Sequence, residues 1–288
     1  MFTGSIVAIV TPFKSGEVDF DALDRLVEMH VKAGTDGIVP CGTTGESPTL
    51  THDEHDAVIA RVAKTAKKRI RVLAGTGSNS TAEAIQLSRH AEKSGADGVL
   101  QVTPYYNKPT QEGIYRHFKA IAESISIPVV LYNIPGRCVV GITLDTYQRL
   151  AKVKNIVGTK EAAGSTDLVT EIVATTPLTV LSGDDSMTLP YMSVGAKGVI
   201  SVVANIVPKD VKAMVDAFAS GDVRAAGTLN AKLYPLSKAM FVETSPAPVK
   251  CAMEMLGLCS GDVRLPLVTP AKESEAKIRK ALENYKLL

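Results

Sequence analysis

Apolar positions along the chain alternate between two periods. Short, β-branched runs are followed by stretches in which apolar residues recur every third or fourth position. Residues 5–10 read as a first strand, ending at Thr11-Pro12. Gly34-Thr35-Asp36-Gly37-Ile38-Val39 turns into a second, ending at Cys41-Gly42. Residues 72–75 form a third, and Gly95-Ala96-Asp97-Gly98-Val99-Leu100 repeats the turn-and-strand pattern for a fourth. Residues 128–132, 156–160, 179–182 and 198–202 supply the rest, the last through Gly195-Ala196-Lys197-Gly198-Val199-Ile200. Helical stripes fill the gaps, among them Leu23/Leu26/Val27/Val31, Val58/Ile59/Val62, Ile114/Phe118/Ile121 and Val211/Met214/Val215/Phe218. Asp19 or Asp21 can cap the first helix and Gly34 stop it. Thr51 with Glu54, and Ser80 with Glu83, have capping-box spacing.

The thrice-repeated helix-to-strand turn points to one recurring strand–helix unit. The expected fold class is α/β, a (β/α)8 TIM barrel. A doubly wound open sheet is the alternative, but no GxGxxG follows any strand. After Gly221 no strand pattern returns. Residues 222–241, 249–258 and 273–285 read as helices, interrupted at residues 243–248. The expected division is a catalytic barrel over 1–225 and a small all-helical C-terminal domain over 226–288.

Composition narrows the function classes. The 288 residues are 45% hydrophobic and carry a net charge of +2, so a large core and a nearly neutral surface are expected. Neither nucleic acid nor membrane is then an expected partner. The basic run over residues 64–71 is broken by Thr65, Ala66 and Ile70 and reads as a solvated helix end. Cys41, Cys138, Cys251 and Cys259 form no CxxC pair and no zinc spacing with histidine. Reduced thiols and a cytoplasmic location are expected. No targeting segment is legible, and no apolar run reaches the ~18 residues of a membrane span.

In such a barrel, chemistry gathers at the carboxyl ends of the strands. Those ends carry Gly42-Thr43-Thr44-Gly45-Glu46-Ser47, Gly75-Thr76-Gly77, Thr103-Pro104-Tyr105-Tyr106-Asn107, Tyr132-Asn133, Lys160-Glu161, Ser182-Gly183-Asp184-Asp185 and Ser201. Lys160 closes the run Ile156-Val157-Gly158-Thr159. A strand-end lysine either snorkels to water or is held dry. Held dry, its charged form is disfavoured and its free amine attacks carbonyls. The surrounding hydroxyls and glycines favour the second reading. Tyr132 is an acid–base candidate if a partner hydroxyl holds its O–H, and otherwise a core tyrosine. The turn at residues 42–47 can present backbone N–H groups and hydroxyls to a carboxylate, or be an ordinary glycine turn. It is no P-loop, since no Gly-Lys-Ser/Thr follows. Arg137, in Pro135-Gly136-Arg137, can fork onto a carboxylate or lie free on the surface. No metal cluster is legible; Asp184-Asp185 lacks a histidine and reads as a helix cap.

Together these motifs resemble the dihydrodipicolinate synthase family of pyruvate-dependent aldolases, which also includes N-acetylneuraminate lyase. The resemblance runs from Phe2-Thr3-Gly4-Ser5 through Tyr132-Asn133-Ile134-Pro135-Gly136-Arg137 and Gly158-Thr159-Lys160-Glu161 to Ser182-Gly183-Asp184-Asp185, and covers essentially the whole chain. The Gly-Thr-Thr-Gly-Glu turn and the lysine are shared across that superfamily, while Tyr105-Tyr106-Asn107 and Arg137 point to the synthase. The resemblance implies that Lys160 forms a Schiff base with pyruvate, whose carboxylate Thr43 and Thr44 hold. Thr43 would also join a proton relay centred on Tyr132 and completed by Tyr106 reaching into a neighbouring subunit's site. Arg137 would receive the carboxylate of L-aspartate-4-semialdehyde, and the backbone at Gly183 and Ile200 would line the pocket. The product would be 4-hydroxy-tetrahydrodipicolinate, in diaminopimelate and lysine biosynthesis, made by a homotetramer built as a dimer of dimers. An iminium is itself an electron sink, so no cofactor or metal is implied.

The resemblance further implies L-lysine as feedback inhibitor, at an interface pocket of Ser47, His52, His55, Asn79, Glu83 and Tyr105. His52 and His55 lie three apart on one helix face. Glu83 suits an ammonium, Asn79 and the Tyr105 hydroxyl a carboxylate. Pro48 stands where some inhibited members have alanine. Alternative functions are another pyruvate-dependent aldolase, such as N-acetylneuraminate lyase or a 2-keto-3-deoxy sugar acid aldolase, a non-catalytic barrel sensing a small acid, and a pyridoxal-phosphate lysine.

Overall fold

A computed structural model describes residues 2–288. Eight parallel strands close into a barrel: β1 Gly4–Ala8, β2 Gly37–Val39, β3 Arg71–Gly75, β4 Gly98–Val102, β5 Val129–Asn133, β6 Ile156–Glu161, β7 Thr179–Ser182 and β8 Gly198–Ser201. β1 closes the ring by pairing with both β2 and β8. The chain is therefore a (β/α)8 TIM barrel followed by a helical C-terminal region.

Side-chain alternation divides the core. Inside the barrel, Phe2, Ile6, Ala8, Val39, Leu73, Leu100, Val130, Tyr132, Leu181 and Ile200 pack into one cluster. A larger cluster lies between strands and helices. Gly98 lets Phe2 pack close, since a Cβ there would come within 2.6 Å of the Phe2 ring. Across β5 and β6, Tyr132 is the register partner of Lys160 and Asn133 that of Glu161.

Helix signals in the sequence match local chemistry. The Asp19 carboxylate accepts from the Ala22 N–H at 2.9 Å, and Gly34 ends that helix at φ 76°. Thr51 and Glu54 form a complete capping box. The Ser80 box is only half made. Ser80 accepts from the Glu83 N–H, but the Glu83 carboxylate turns instead to Ser78 and His52. A two-stranded hairpin, Phe13–Lys14 with Glu17–Val18, went unread because two residues show no period. At the C-terminus, helices span Val223–Ala239, Ala247–Met255 and Lys272–Tyr285, and residue 226 falls within the first of them. Among the described residues no helix is long and apolar enough to cross a membrane, and no group of three or more side chains could hold a metal ion.

Candidate active site

β6 turns its last residues to opposite faces. Thr159 and Glu161 face away from the barrel axis. There the Tyr147 hydroxyl donates to Glu161 Oε2 at 3.0 Å, and the Asn133 amide donates to both Glu161 oxygens at 3.0 Å. Lys160, between them, turns inward and is buried. Its Nζ lies 4.2 Å from the centre of the Tyr132 ring. Burial lowers its pKa to about 8, with the Asp185 charge opposing and the Arg137 charge adding to the fall. Part of the amine population is then neutral near neutral pH. Gly183 leaves room for it: a Cβ there would sit 3.1 Å from Lys160 Cε. The Gly183 N–H donates to the Glu161 carbonyl at 2.7 Å, which ties β7 to the end of β6.

Tyr132 is buried, and burial raises its pKa to about 12 against the pull of the Arg137 charge and the Thr43 hydroxyl. It is a neutral phenol at working pH, able to accept and donate a proton in turn. Thr43, Tyr132 and Arg137 line a cavity of about 390 Å³. The Arg137 guanidinium also donates to the Ser245 carbonyl at 3.3 Å. Thr44 is buried in the same turn as Thr43 but does not line the cavity, and Ile200 packs inside the barrel with Tyr132. Lys160 is not itself among the lining residues and lies behind the Tyr132 ring that is. Larger grooves, of about 1010 and 900 Å³, open elsewhere on the surface, and neither touches Tyr132, Thr43 or Arg137.

Ser47, His52, His55, Glu83 and Tyr105 border this same 390 Å³ cavity. His52 Nε2 lies 2.8 Å from Glu83 Oε1. The Glu83 carboxyl is lowered, chiefly by the Ser78 hydroxyl, with burial opposing and His52 adding. The Tyr105 phenol is raised by burial and by the Glu83 charge, with the Asn79 backbone opposing. Asn79 does not line the cavity; its carbonyl accepts from the Asn107 amide at 2.9 Å. The two histidines share one helix face but not their surroundings, His52 being exposed and His55 not. His55 is buried, its Nε2 lies 2.9 Å from the Gly75 carbonyl, and burial keeps it neutral. One ring nitrogen is thus occupied by β3. Tyr106 lies outside the cavity, 89% exposed with φ 68°, so the single chain does not bring it to Tyr132.

A family model described as the dihydrodipicolinate synthetase family matches residues 1–285. The chain belongs to this family. It is 53% identical to the 4-hydroxy-tetrahydrodipicolinate synthase of Syntrophus aciditrophicus (strain SB), with 100% of both chains covered. It superposes on the crystal structure of the dihydrodipicolinate synthase from Aquifex aeolicus with a TM-score of 0.98 at 52% identity, covering 99% of each chain. The family's enzyme from Cyanidioschyzon merolae, solved with lysine bound, gives 0.97 at 40% identity, with 100% of this chain and 99% of that one covered.

Two features of this synthase-family site escaped the sequence reading. Asp184 does cap, accepting from the Ser186 N–H at 2.8 Å. Asp185 does something else. It is buried, accepts from the Ser201 hydroxyl and the Val202 and Val203 N–H groups, and its charge opposes the deprotonation of Lys160. In sequence Glu46 is one member of the Gly-Thr-Thr-Gly-Glu turn; in the fold its carboxylate meets Lys250 at 2.6 Å with both side chains fully buried. A lysine inside the apolar helical stretch at residues 249–258 was the available signal.

Proposed function

We propose that this chain is a lyase that condenses pyruvate with L-aspartate-4-semialdehyde to 4-hydroxy-tetrahydrodipicolinate, in diaminopimelate and lysine biosynthesis, through a Schiff base on Lys160. One observation carries the chemistry: a buried amine of lowered pKa stands over a buried neutral phenol. The neutral Lys160 amine adds to the ketone carbon of pyruvate, and loss of water leaves an iminium. Loss of a methyl proton then gives an enamine, with Tyr132 and Thr43 carrying protons between the reacting atoms and solvent. The enamine carbon attacks the aldehyde. The amino group of the second substrate displaces Lys160 from the iminium carbon, which closes the ring and frees the enzyme.

Thr43 and Thr44 hold the carboxylate of pyruvate and Arg137 that of the semialdehyde, while Gly183 and Ile200 supply backbone wall. Tyr106 completes the relay from a neighbouring subunit in a homotetramer. A large aromatic side chain held out from the surface by a left-handed backbone supports that role. L-lysine inhibits from the part of the cavity bounded by Ser47, His52, His55, Glu83 and Tyr105, with Asn79 beside it, and the lysine-bound relative supports this reading. Residues 1–225 carry the catalysis and residues 226–288 form a helical domain, in a cytoplasmic enzyme. Pyruvate with borohydride tests the core of the proposal. One reduced pyruvyl group is expected, on Lys160; an adduct on another lysine, or none, overturns it.

A further inference from the structure

The turn that carries Thr43 and Thr44 is not held by the barrel alone. Near its end Glu46 sits in the left-handed region at φ 54°, a conformation that needs outside support in a side chain of this size. The Glu46 N–H donates to the Thr43 carbonyl at 3.1 Å, so the place of Glu46 sets the place of Thr43. Its carboxylate is gripped from the C-terminal helical region. Lys250 Nζ, on the helix Ala247–Met255, donates to Glu46 Oε1 at 2.6 Å, and the Arg264 backbone N–H donates to Oε2 at 3.1 Å. The same ammonium donates to the Thr11 carbonyl at 2.9 Å, and the Thr11 hydroxyl donates to the Gly45 carbonyl at 2.7 Å. Gly45 in turn packs so tightly that a Cβ would lie 2.9 Å from the Cys41 nitrogen. Lys250 therefore holds the turn at Glu46 directly and, through the neighbouring segment at Thr11, at Gly45 as well.

Both side chains of the Lys250–Glu46 pair have no solvent exposure. A buried pair of this kind costs heavily in desolvation, and an apolar pair of equal volume would serve packing as well. What an apolar pair cannot do is fix one direction and one distance. We infer that Lys250 is a positioning residue for pyruvate: acting through Glu46, it holds the Thr43–Thr44 turn in the geometry that receives the substrate carboxylate. This rests on the reading of that turn given above. The C-terminal region is then part of the binding apparatus, although none of its residues lines the cavity.

The test uses the full chain and three variants: Glu46→Gln, Lys250→Met, and Lys250→Met with Glu46→Leu, which leaves no unpaired buried charge. Borohydride trapping is titrated with pyruvate, and steady-state KM is measured separately for each substrate. The expected result is that folded variants need about tenfold or more pyruvate for half-maximal trapping, while KM for the semialdehyde moves by about twofold or less. The pH midpoint of trapping stays where it is in the parent, because Lys160 is untouched. A purely structural link would lower the melting temperature and leave the pyruvate requirement unchanged, and that overturns the inference. Failure of all three variants to fold also overturns it, making the pair a folding determinant. If the parent itself traps no pyruvate, the functional reading fails first and takes this inference with it.

Discussion

Lys160 and Tyr132 are register partners on adjacent strands, and the lysine Nζ lies 4.2 Å from the centre of the tyrosine ring. The β5–β6 pairing holds their backbones side by side, so the two side chains start from adjacent positions on the inner face. The ring covers one side of the buried amine, and the phenol stays beside the amine proposed to carry the Schiff base. Burial lowers the first pKa to about 8 and raises the second to about 12, so near pH 8 about half of the amine is neutral and the phenol stays protonated.

The rate of borohydride trapping at limiting pyruvate should rise with pH and level off above about 8, the lowered value for Lys160. Arg137 contributes to that lowering, so Arg137→Gln should move the midpoint upward as well as weakening the semialdehyde. Lys160→Arg should not trap, because its guanidinium stays protonated. A midpoint near the ordinary lysine range in the parent would contradict a dry amine.

Tyr106 should act across a subunit boundary. Tyr132→Phe and Tyr106→Phe homo-oligomers should each lose about 10²-fold or more in kcat, as removal of a general acid–base group does. Mixed oligomers should regain activity, since some sites then hold one intact copy of each tyrosine. No recovery, with subunit exchange verified by native mass spectrometry, would place Tyr106 outside the relay.

L-lysine at millimolar concentration should reduce activity even at saturating pyruvate, because the residues proposed to hold it, Glu83 and Tyr105 among them, are other than those proposed to hold pyruvate. Glu83→Ala should remove that response, as the carboxylate expected to take the ammonium is gone. The paired His52 would lose its partner as well, so His52→Ala should weaken inhibition less than Glu83→Ala does. Equal inhibition of parent and Glu83→Ala would remove this site from consideration.

Acid should destabilise the fold through buried neutral histidines. Burial lowers His30 to about 3 and His117 to about 4. Both values lie below the unfolded one, so the unfolded chain takes up protons first as pH falls. Stability is fully present above about pH 6.5 and is lost progressively toward those folded values, by about 1 kcal/mol for each ring between about pH 7 and pH 5.5. Denaturant titrations at those two pH values check this, and His30→Gln should flatten the dependence. An unchanged slope would mean that the ring is not held neutral.

Much of the fold was legible because barrel strands and helices differ in period, and because each helix start carries its own local chemistry. Asp19, Thr51 and Gly34 act within a few residues of where they stand, so a linear reading finds them. Lys160 and Tyr132 are legible the same way, as polar residues at the ends of apolar strands, and the chemistry proposed for them comes from the family motifs. The short hairpin at Phe13 gave no period to read, and the Glu83 carboxylate chose a partner that its local capping spacing did not name.

The sequence by itself determined the (β/α)8 order and the residues at the strand ends, because both depend on alternation along a chain. Only the tertiary structure decided which of those residues share a space. His55 was drawn into the protein by a carbonyl of β3, Asp185 was caged by backbone N–H groups after β8, and Tyr106 was left outside. Lys250 met Glu46 across 204 positions of sequence. No periodicity encodes such a meeting. It follows from closing the barrel and folding the last helices back against the turn after β2, where two buried charges must find each other or remain unpaired.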